Sequence, residues 1–169
     1  NGSVTTSGPA EYGGDYRPYN TDDPDDPTKY IVHEYGINSD GHISSGVDKV
    51  YSTSRAFTAL KEDGSVVTWG DEKYGGIVPT ELSDELSDVV KIYSSSGAFA
   101  ALKSDGSVAT WGPADLGGDS RPYNNDPNDT LNYNEYGITN GDISSGVDNI
   151  YSTSKAFVAL KSDGSVVTW

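Results

Sequence analysis

Carboxylates and side-chain amides crowd two stretches of this chain, and no other feature in it comes closer to a reactive or ligand-binding group. The first reads Asn20-Thr21-Asp22-Asp23-Pro24-Asp25-Asp26-Pro27, with Asn38-Ser39-Asp40-Gly41 further on. The second reads Asn124-Asn125-Asp126-Pro127-Asn128-Asp129, followed by Asn140-Gly141-Asp142. Calcium takes about six to eight hard oxygens, which such loops can supply. Crowded carboxylates also repel one another, and a bound cation would relieve that repulsion. Asp22, Asp23, Asp25, Asp26, Asp126 and Asp129 are therefore the candidate calcium ligands. Neither stretch fits the EF-hand pattern or a Gly-x-Gly-x-Asp coil, and Asp, Asn, Pro and Gly are equally the residues of a solvated loop.

The same stretches are rich in tyrosine: Tyr12, Tyr16, Tyr19, Tyr30 and Tyr35 in the first, Tyr123, Tyr133 and Tyr136 in the second. Tyrosine mixed with Asn, Gly and Ser gives contact area at low entropic cost, as in antibody loops. Tyr19 and Tyr123, beside the acidic runs, are candidate contact residues. Tyr35 and Tyr136, repeated in Glu-Tyr-Gly-Ile, are expected to pack the inserts onto the scaffold together with Ile31, Ile37 and Ile138.

Catalytic chemistry finds little support. His33 has no counterpart in the second stretch, and His42 aligns with Asp142. No serine stands in a Gly-x-Ser-x-Gly elbow, and no P-loop or dinucleotide fingerprint occurs. The expectation is a non-enzymatic protein with no catalytic residue. Asn1-Gly2-Ser3 and Asn128-Asp129-Thr130 match the glycosylation pattern, which matters only for a secreted chain.

The whole chain has 169 residues, with 11 Lys and Arg against 26 Asp and Glu, for a formal charge of −15. Phosphate backbones need a basic face, so this balance argues against nucleic acid. No apolar run approaches the roughly 20 residues that span a bilayer, so membrane insertion is not expected. Cysteine is absent, which removes disulfides, thiol nucleophiles and thiolate metal sites. A cysteine-free acidic chain is compatible with an extracellular or cell-surface setting. Methionine is absent too and Asn1 comes first, so a processed or excised piece of a longer protein is expected, with any targeting segment outside it.

What must position these groups is a repeat. GVDKVYSTSRAFTALKEDGSVVTWG from Gly46 is matched by DVVKIYSSSGAFAALKSDGSVATWG from Asp88 and GVDNIYSTSKAFVALKSDGSVVTW from Gly146. Gly2-Ser3-Val4-Thr5-Thr6-Ser7-Gly8 is a degenerate copy of the tail. Gly-Ser-Val starts at 2, 64, 106 and 164, giving periods of 62, 42 and 58. The chain thus divides into a long repeat 2–63 with an acidic insert at about 15–43, a short repeat 64–105, and a second long repeat 106–163. The second insert covers about 119–143, and 164–169 begin a further repeat.

Each copy reads as short strands. Phe57 and Ala59 alternate with Ala56, Thr58 and Leu60, and Ser65 to Trp69 form the return strand. Asp63-Gly64 between two such runs predicts a hairpin with a type I′ turn, as do Asp105-Gly106 and Asp163-Gly164. Glu81 to Asp88 offers at most one helical turn. The fold class is all-β, with about three propeller-type blades in an incomplete ring or open array and no significant helix. Small Ala59, Ala101 and Ala159 beside Phe57, Phe99 and Phe157 let blades approach, and Trp69, Trp111 and Trp169 join the same core layer.

The Gly-Val-x-x-Ile/Val strand, the Ala-Phe-x-Ala-Leu-Lys strand, the Asp-Gly turn and the Val-x-x-Trp-Gly strand resemble the regulator-of-chromosome-condensation repeat family, especially its bacterial members. The resemblance covers the three blade cores, somewhat under half the chain, and neither insert. It implies a propeller fold and leaves function open among exchange factors, enzyme inhibitors and surface proteins. Such propellers usually close with seven blades, so three would leave two apolar faces open. The function expected is an extracellular structural or adhesive segment that associates with itself, head to tail or by closing a ring, and displays its acidic loops. The alternative is a protein-binding propeller module that uses the inserts as contact surface. Calcium is the one cofactor these residues suggest.

Overall fold

The computed structural model describes residues 2–9, 12, 43, 45–83, 85–122, 134 and 136–169. Three antiparallel three-stranded sheets follow one another along the chain. The first blade holds β1 (Val47–Ser52), β2 (Ala56–Lys61) and β3 (Val66–Gly70). The second holds β4 (Val89–Ser94), β5 (Phe99–Lys103) and β6 (Val108–Trp111). The third holds β7 (Val147–Ser152), β8 (Phe157–Lys161) and β9 (Val166–Thr168). The middle strand pairs with both others in every blade. Helix is confined among the described residues to one turn at Thr80–Ser83 and to 3₁₀ turns such as Glu72–Tyr74 and Ala114–Leu116.

Local chemistry explains the strand boundaries. The Asp-Gly hairpins form where expected, but with a different turn. Gly64 N donates to Lys61 O at 2.9 Å and Lys61 N to Ser65 O at 2.9 Å, which makes a three-residue loop. Gly64 has φ +80°, while Asp88 is the only described non-glycine residue with positive φ, so Asp63 does not adopt the conformation a type I′ turn requires. The loop is a type I turn completed by a left-handed glycine, and Gly106 and Gly164 repeat it. Asp63 Oδ1 accepts from Ser65 N at 3.0 Å and Ser65 Oγ at 2.6 Å, a local bond that favours this turn over the tighter one.

A second device sits in the first strand of each blade. Register slips between Val47 and Lys49, between Val89 and Lys91, and between Val147 and Asn149. A β-bulge there changes the parity of the strand, so residues three apart share a face. Val89 and Ile92 are consequently buried together, as are Val147 and Ile150. This is the physical reason for the Gly-Val-x-x-Ile/Val spacing.

The sheets stack through apolar layers. Phe57, Phe99 and Phe157 stack on Trp69, Trp111 and Trp169 of their own blades at centroid separations of 5.6, 5.4 and 5.5 Å. One core joins Ala56 and Leu60 of the first blade to Ile92, Phe99, Ala101 and Trp111 of the second. Another joins Ala98, Ala100 and Leu102 to Ile150, Phe157, Ala159 and Trp169 of the third. Trp111 Nε1 donates to Gly75 O of the preceding turn at 3.1 Å, and Trp169 Nε1 to Gly117 O at 3.0 Å. Backbone bonds cross the same seams, from Ser54 N to Ser96 O and from Ser96 N to Ser154 O.

One buried group is out of place in this packing. Thr58 is fully buried between the first and second blades, and its Oγ1 has no hydrogen-bond partner among the described residues. Ala100 and Val158 occupy the equivalent positions. An unsatisfied buried hydroxyl costs about 1–3 kcal/mol. Thr58→Val should therefore raise the chemical-denaturation midpoint, by about 1 kcal/mol of stability after imperfect repacking. Thr58→Ser, which keeps the hydroxyl and opens a void, should lower it.

Candidate interaction faces

Every blade has two unlike faces, because alternation along the middle strand sends Phe57 and Ala59 one way and Ala56, Thr58 and Leu60 the other. The face toward lower residue numbers, here called leading, carries the bulge pair, the Phe–Trp stack and an alanine. The trailing face carries a tyrosine, a leucine and the outer valine of the third strand. In the two internal seams a trailing face meets a leading face.

At the outer ends the same positions meet no blade among the described residues. Val50 of the first leading face is 43% exposed, whereas its counterparts Ile92 and Ile150 are 1% and 2% exposed. On the last trailing face Tyr151 is 54% and Val166 46% exposed. Ala156, Val158 and Leu160 are half-buried there, while Ala56, Thr58 and Leu60 are buried. Thr168 is exposed where Thr68 and Thr110 are buried. On the trailing side, equivalent side chains thus differ by whether a blade lies over them, whereas Val47, Ala59, Val67 and Trp69 of the first leading face stay buried.

Polar groups fix the seams laterally. Tyr93 of the second blade donates its hydroxyl to Asn149 Oδ1 of the third. Lys91, at the position equivalent to Asn149, sets its ammonium 4.5 Å from the Tyr93 ring centre. A hydrogen bond to Tyr93 raises the Lys91 pKa against a smaller desolvation effect, and Tyr51 and Tyr151 act in the same direction as Tyr93. Lys49, the counterpart on the first blade, is exposed and pairs with neighbouring Asp48 at 3.6 Å. Arg55 is held between Tyr12 and Tyr74, with ring centres 5.0 and 5.1 Å from its guanidinium carbon, and reaches Asp71 at 3.7 Å.

The expected core residues Phe57, Trp69, Phe99, Trp111, Phe157 and Trp169 all lie in the stacked layers. Thr53, just after β1, caps a turn by accepting from Ala56 N at 3.1 Å and donating to Tyr74 O at 2.8 Å. Tyr136 departs from expectation. It is 47% exposed, while Ile138 packs the insert stem onto the third blade as expected. The stem is pinned by Ile138 N and Asn134 Nδ2, both donating to Arg121 O, which turns the tyrosine outward. Asp22, Asp23, Asp25, Asp26, Asp126, Asp129, Tyr19, Tyr123, Tyr35, His33 and His42 lie outside the described residues. Among the described residues no three His, Asp or Glu side chains are grouped as metal ligands.

A cleft of about 540 Å³ opens beside Trp111, lined by Pro79, Leu82, Thr110, Asp119 and Arg121 among others. Its one cation is spoken for, since Arg121 forms a bidentate pair with Asp119. Burial works to raise the Asp119 carboxyl, but the bonds from Arg121 outweigh it and the net shift is downward.

No family model matches the chain, and no curated protein is similar to it in sequence. Among solved structures it is similar to Prp20p from Saccharomyces cerevisiae, at 17% identity and TM-score 0.48, over 72% of this chain and 30% of that one. Human WBSCR16 is similar at 18% identity and TM-score 0.47, over 73% and 34%. Yeast RCC1 (Prp20), solved with Kap60 bound, is similar at 16% identity and TM-score 0.46, over 72% and 29%. The chain spans about a third of the length of these structures or less.

The serine-capped aspartates set an acid limit on the scaffold. A hydroxyl bond from Ser65, then the Ser65 backbone N–H, holds the Asp63 carboxyl below the ordinary carboxylate range. Asp105, Asp142 and Asp163 are lowered in the same way by Ser107, Ser144 and Ser165. A depressed folded-state value contributes stability that is present above the unfolded value and lost as pH falls through the folded one. Thermal stability should thus hold down to about pH 4 and decline below it. Substituting all four aspartates by Asn, which keeps an acceptor oxygen, should shallow that decline in a pH series of melting curves.

Proposed function

We propose that this chain is a non-catalytic structural repeat segment, displayed outside the cell or on its surface, that associates through its open blade faces. One observation carries the reading: trailing-face positions that are buried in the first internal seam are half-buried or exposed on the last blade, and Val50 on the first is exposed where Ile92 and Ile150 are buried. The exposed trailing side chains are of the types that Ala56, Leu60 and Tyr51 present to the second blade. A leading face complementary to them exists on the same molecule, so the contact is heterologous and either closes a ring or grows a filament. The strongly acidic surface and lack of cysteine suit an extracellular setting. A discrete protein-binding module, with a different protein on the open faces, is the second reading. Its support is that an open apolar face marks an interaction site whatever its partner.

Light scattering over a concentration series tests the first reading. The average mass should rise above that of the 17.9 kDa monomer as concentration increases. Burying a Leu or Val side chain contributes roughly 1.5–3 kcal/mol, so Leu160→Asp should weaken association about tenfold to a hundredfold. Tyr151→Lys, at a position already exposed, should act in the same direction without threatening the fold. A mass fixed at one monomer throughout would overturn self-association.

A further inference from the structure

Asp or Asn precedes Gly at four places among the described residues: Asp63-Gly64, Asp105-Gly106, Asn140-Gly141 and Asp163-Gly164. Where such a pair is unrestrained, the glycine nitrogen can attack the side-chain carbonyl carbon, because glycine has no Cβ to hinder the approach. The three aspartates stand in the hairpin loops, and there both reacting groups are held. Gly64, Gly106 and Gly164 donate their N–H to Lys61 O, Lys103 O and Lys161 O at 2.9, 3.0 and 2.9 Å. The Asp63, Asp105 and Asp163 carboxylates accept from the backbone N–H and the hydroxyl of the serine two residues on. The same bonds favour the ionised carboxylate, which is a poor target for a nucleophile.

Asn140-Gly141 has neither restraint. Both residues are exposed, and no group among the described residues hydrogen-bonds the Asn140 amide or the Gly141 N–H. Asp142 fixes the turn instead. Its Oδ1 accepts from Ser144 N at 3.0 Å and from Ser144 Oγ at 2.6 Å, and Lys161 Nζ donates to its carbonyl at 3.1 Å. The anchoring thus begins one residue beyond the pair and leaves the pair itself unheld. The fold requires the glycine, since Gly141 has φ +75° and a Cβ there would lie 2.9 Å from Val167 Cγ2. Asn140 is exposed, and the first insert has Asp40 at the aligned position.

We propose that Asn140 is a site of spontaneous deamidation, at the one described pair of this kind that the fold leaves reactive. The Gly141 nitrogen attacks Asn140 Cγ and forms a C–N bond. The side-chain amide nitrogen leaves as ammonia, taking up the proton that the glycine nitrogen gives up, and a succinimide ring remains. Water then opens either carbonyl of the ring, which gives aspartate or isoaspartate at position 140, and nothing is oxidised or reduced. The exchange of NH for O makes the chain about 1 Da heavier. It also adds one negative charge to a chain whose formal charge is already −15. In the isoaspartyl product the main chain gains a methylene between Ile138 and Ile143, which are both buried in the core that includes the third blade. Charge and backbone length therefore change in the stem of the second insert, between two anchored points.

Each hydrogen bond that must break first slows ring closure about fivefold, so the three that hold a hairpin pair slow it about a hundredfold. Asp105→Asn puts an Asn-Gly pair into that held geometry and supplies the comparison within one chain. Asp163→Asn repeats it in the third blade, should the first substitution disturb the second. Each folded variant is incubated at neutral and at mildly alkaline pH, digested, and followed by peptide mass and by enzymatic methylation of isoaspartyl groups. The peptide containing position 140 should gain about 1 Da, faster at the higher pH, with the hairpin position about a hundredfold slower. In denaturant the two positions should react at comparable rates, which assigns the difference to the fold. Asn140→Gln, whose longer side chain closes the ring poorly, should remove the signal from that peptide and leave thermal unfolding unchanged. An Asn140 peptide that keeps its mass and gains no isoaspartate overturns the site. Equal rates at the two positions in the folded chain, or a difference that persists in denaturant, overturn the selection by the fold.

Discussion

Everything in this scaffold depends on the closure of an aromatic stack by the backbone of the blade before it. Phe99 and Trp111 stack within their blade, and the turn at Gly75 lies against the phenyl ring while its carbonyl accepts the indole N–H. Gly117 does the same for Phe157 and Trp169. Both glycines have positive φ, and a Cβ would lie 2.9 Å from Phe99 Cδ2 at Gly75 and 2.6 Å from Phe157 Cδ2 at Gly117. Only glycine satisfies the turn and the approach together. A blade's own strands supply half its core, and the preceding repeat supplies the lid, the hydrogen-bond acceptor and the trailing side chains. Stability in such an array is a property of seams as much as of sheets.

That dependence explains what could be read from the sequence. Alternation in Ala56 to Leu60 places side chains on two faces because a strand has period two, and the structure keeps that assignment. Phe and Trp at fixed offsets announce a shared core layer for the same reason. The turn was less legible, since Asp-Gly serves both a type I′ turn and a type I turn with a left-handed glycine. Ser65 tips the balance through its bonds to Asp63, a side-chain effect that a two-residue signal does not contain. The bulge was written in the three-residue spacing of Val89 and Ile92, but spacing alone does not say which residue is extruded.

The candidate site divides along the same line. Open faces follow from counting repeats, and burial differences between Val50, Ile92 and Ile150 give that count a physical expression. Tyr136 misled because its repetition in Glu-Tyr-Gly-Ile suggested packing. Ile138, two residues on, fills the core position once Asn134 and Ile138 have tied the stem to Arg121. Repetition marks a constraint without saying which member of the motif bears it. The acidic residues singled out for calcium lie outside the described residues, and their chemistry stands on the donor set alone.

The seam also imposes a direction. Its leading side is aromatic and takes a lid, and its trailing side is aliphatic and provides cover, so two leading faces cannot satisfy each other. In both internal seams the indole N–H of the leading face is accepted by a carbonyl of the preceding turn, a group that a second leading face does not bring to that position. Two trailing faces would oppose Tyr151 to Tyr151 and Leu160 to Leu160, with no ring to fill the layer between small side chains. A two-fold symmetric pairing is therefore disfavoured on both surfaces, for opposite reasons: excess bulk and donors on one, a deficit of volume on the other. The proposed self-association is accordingly head to tail, in the sense already used inside the chain. A head-to-tail contact of this kind either closes a ring or grows a filament, according to the rotation at each joint.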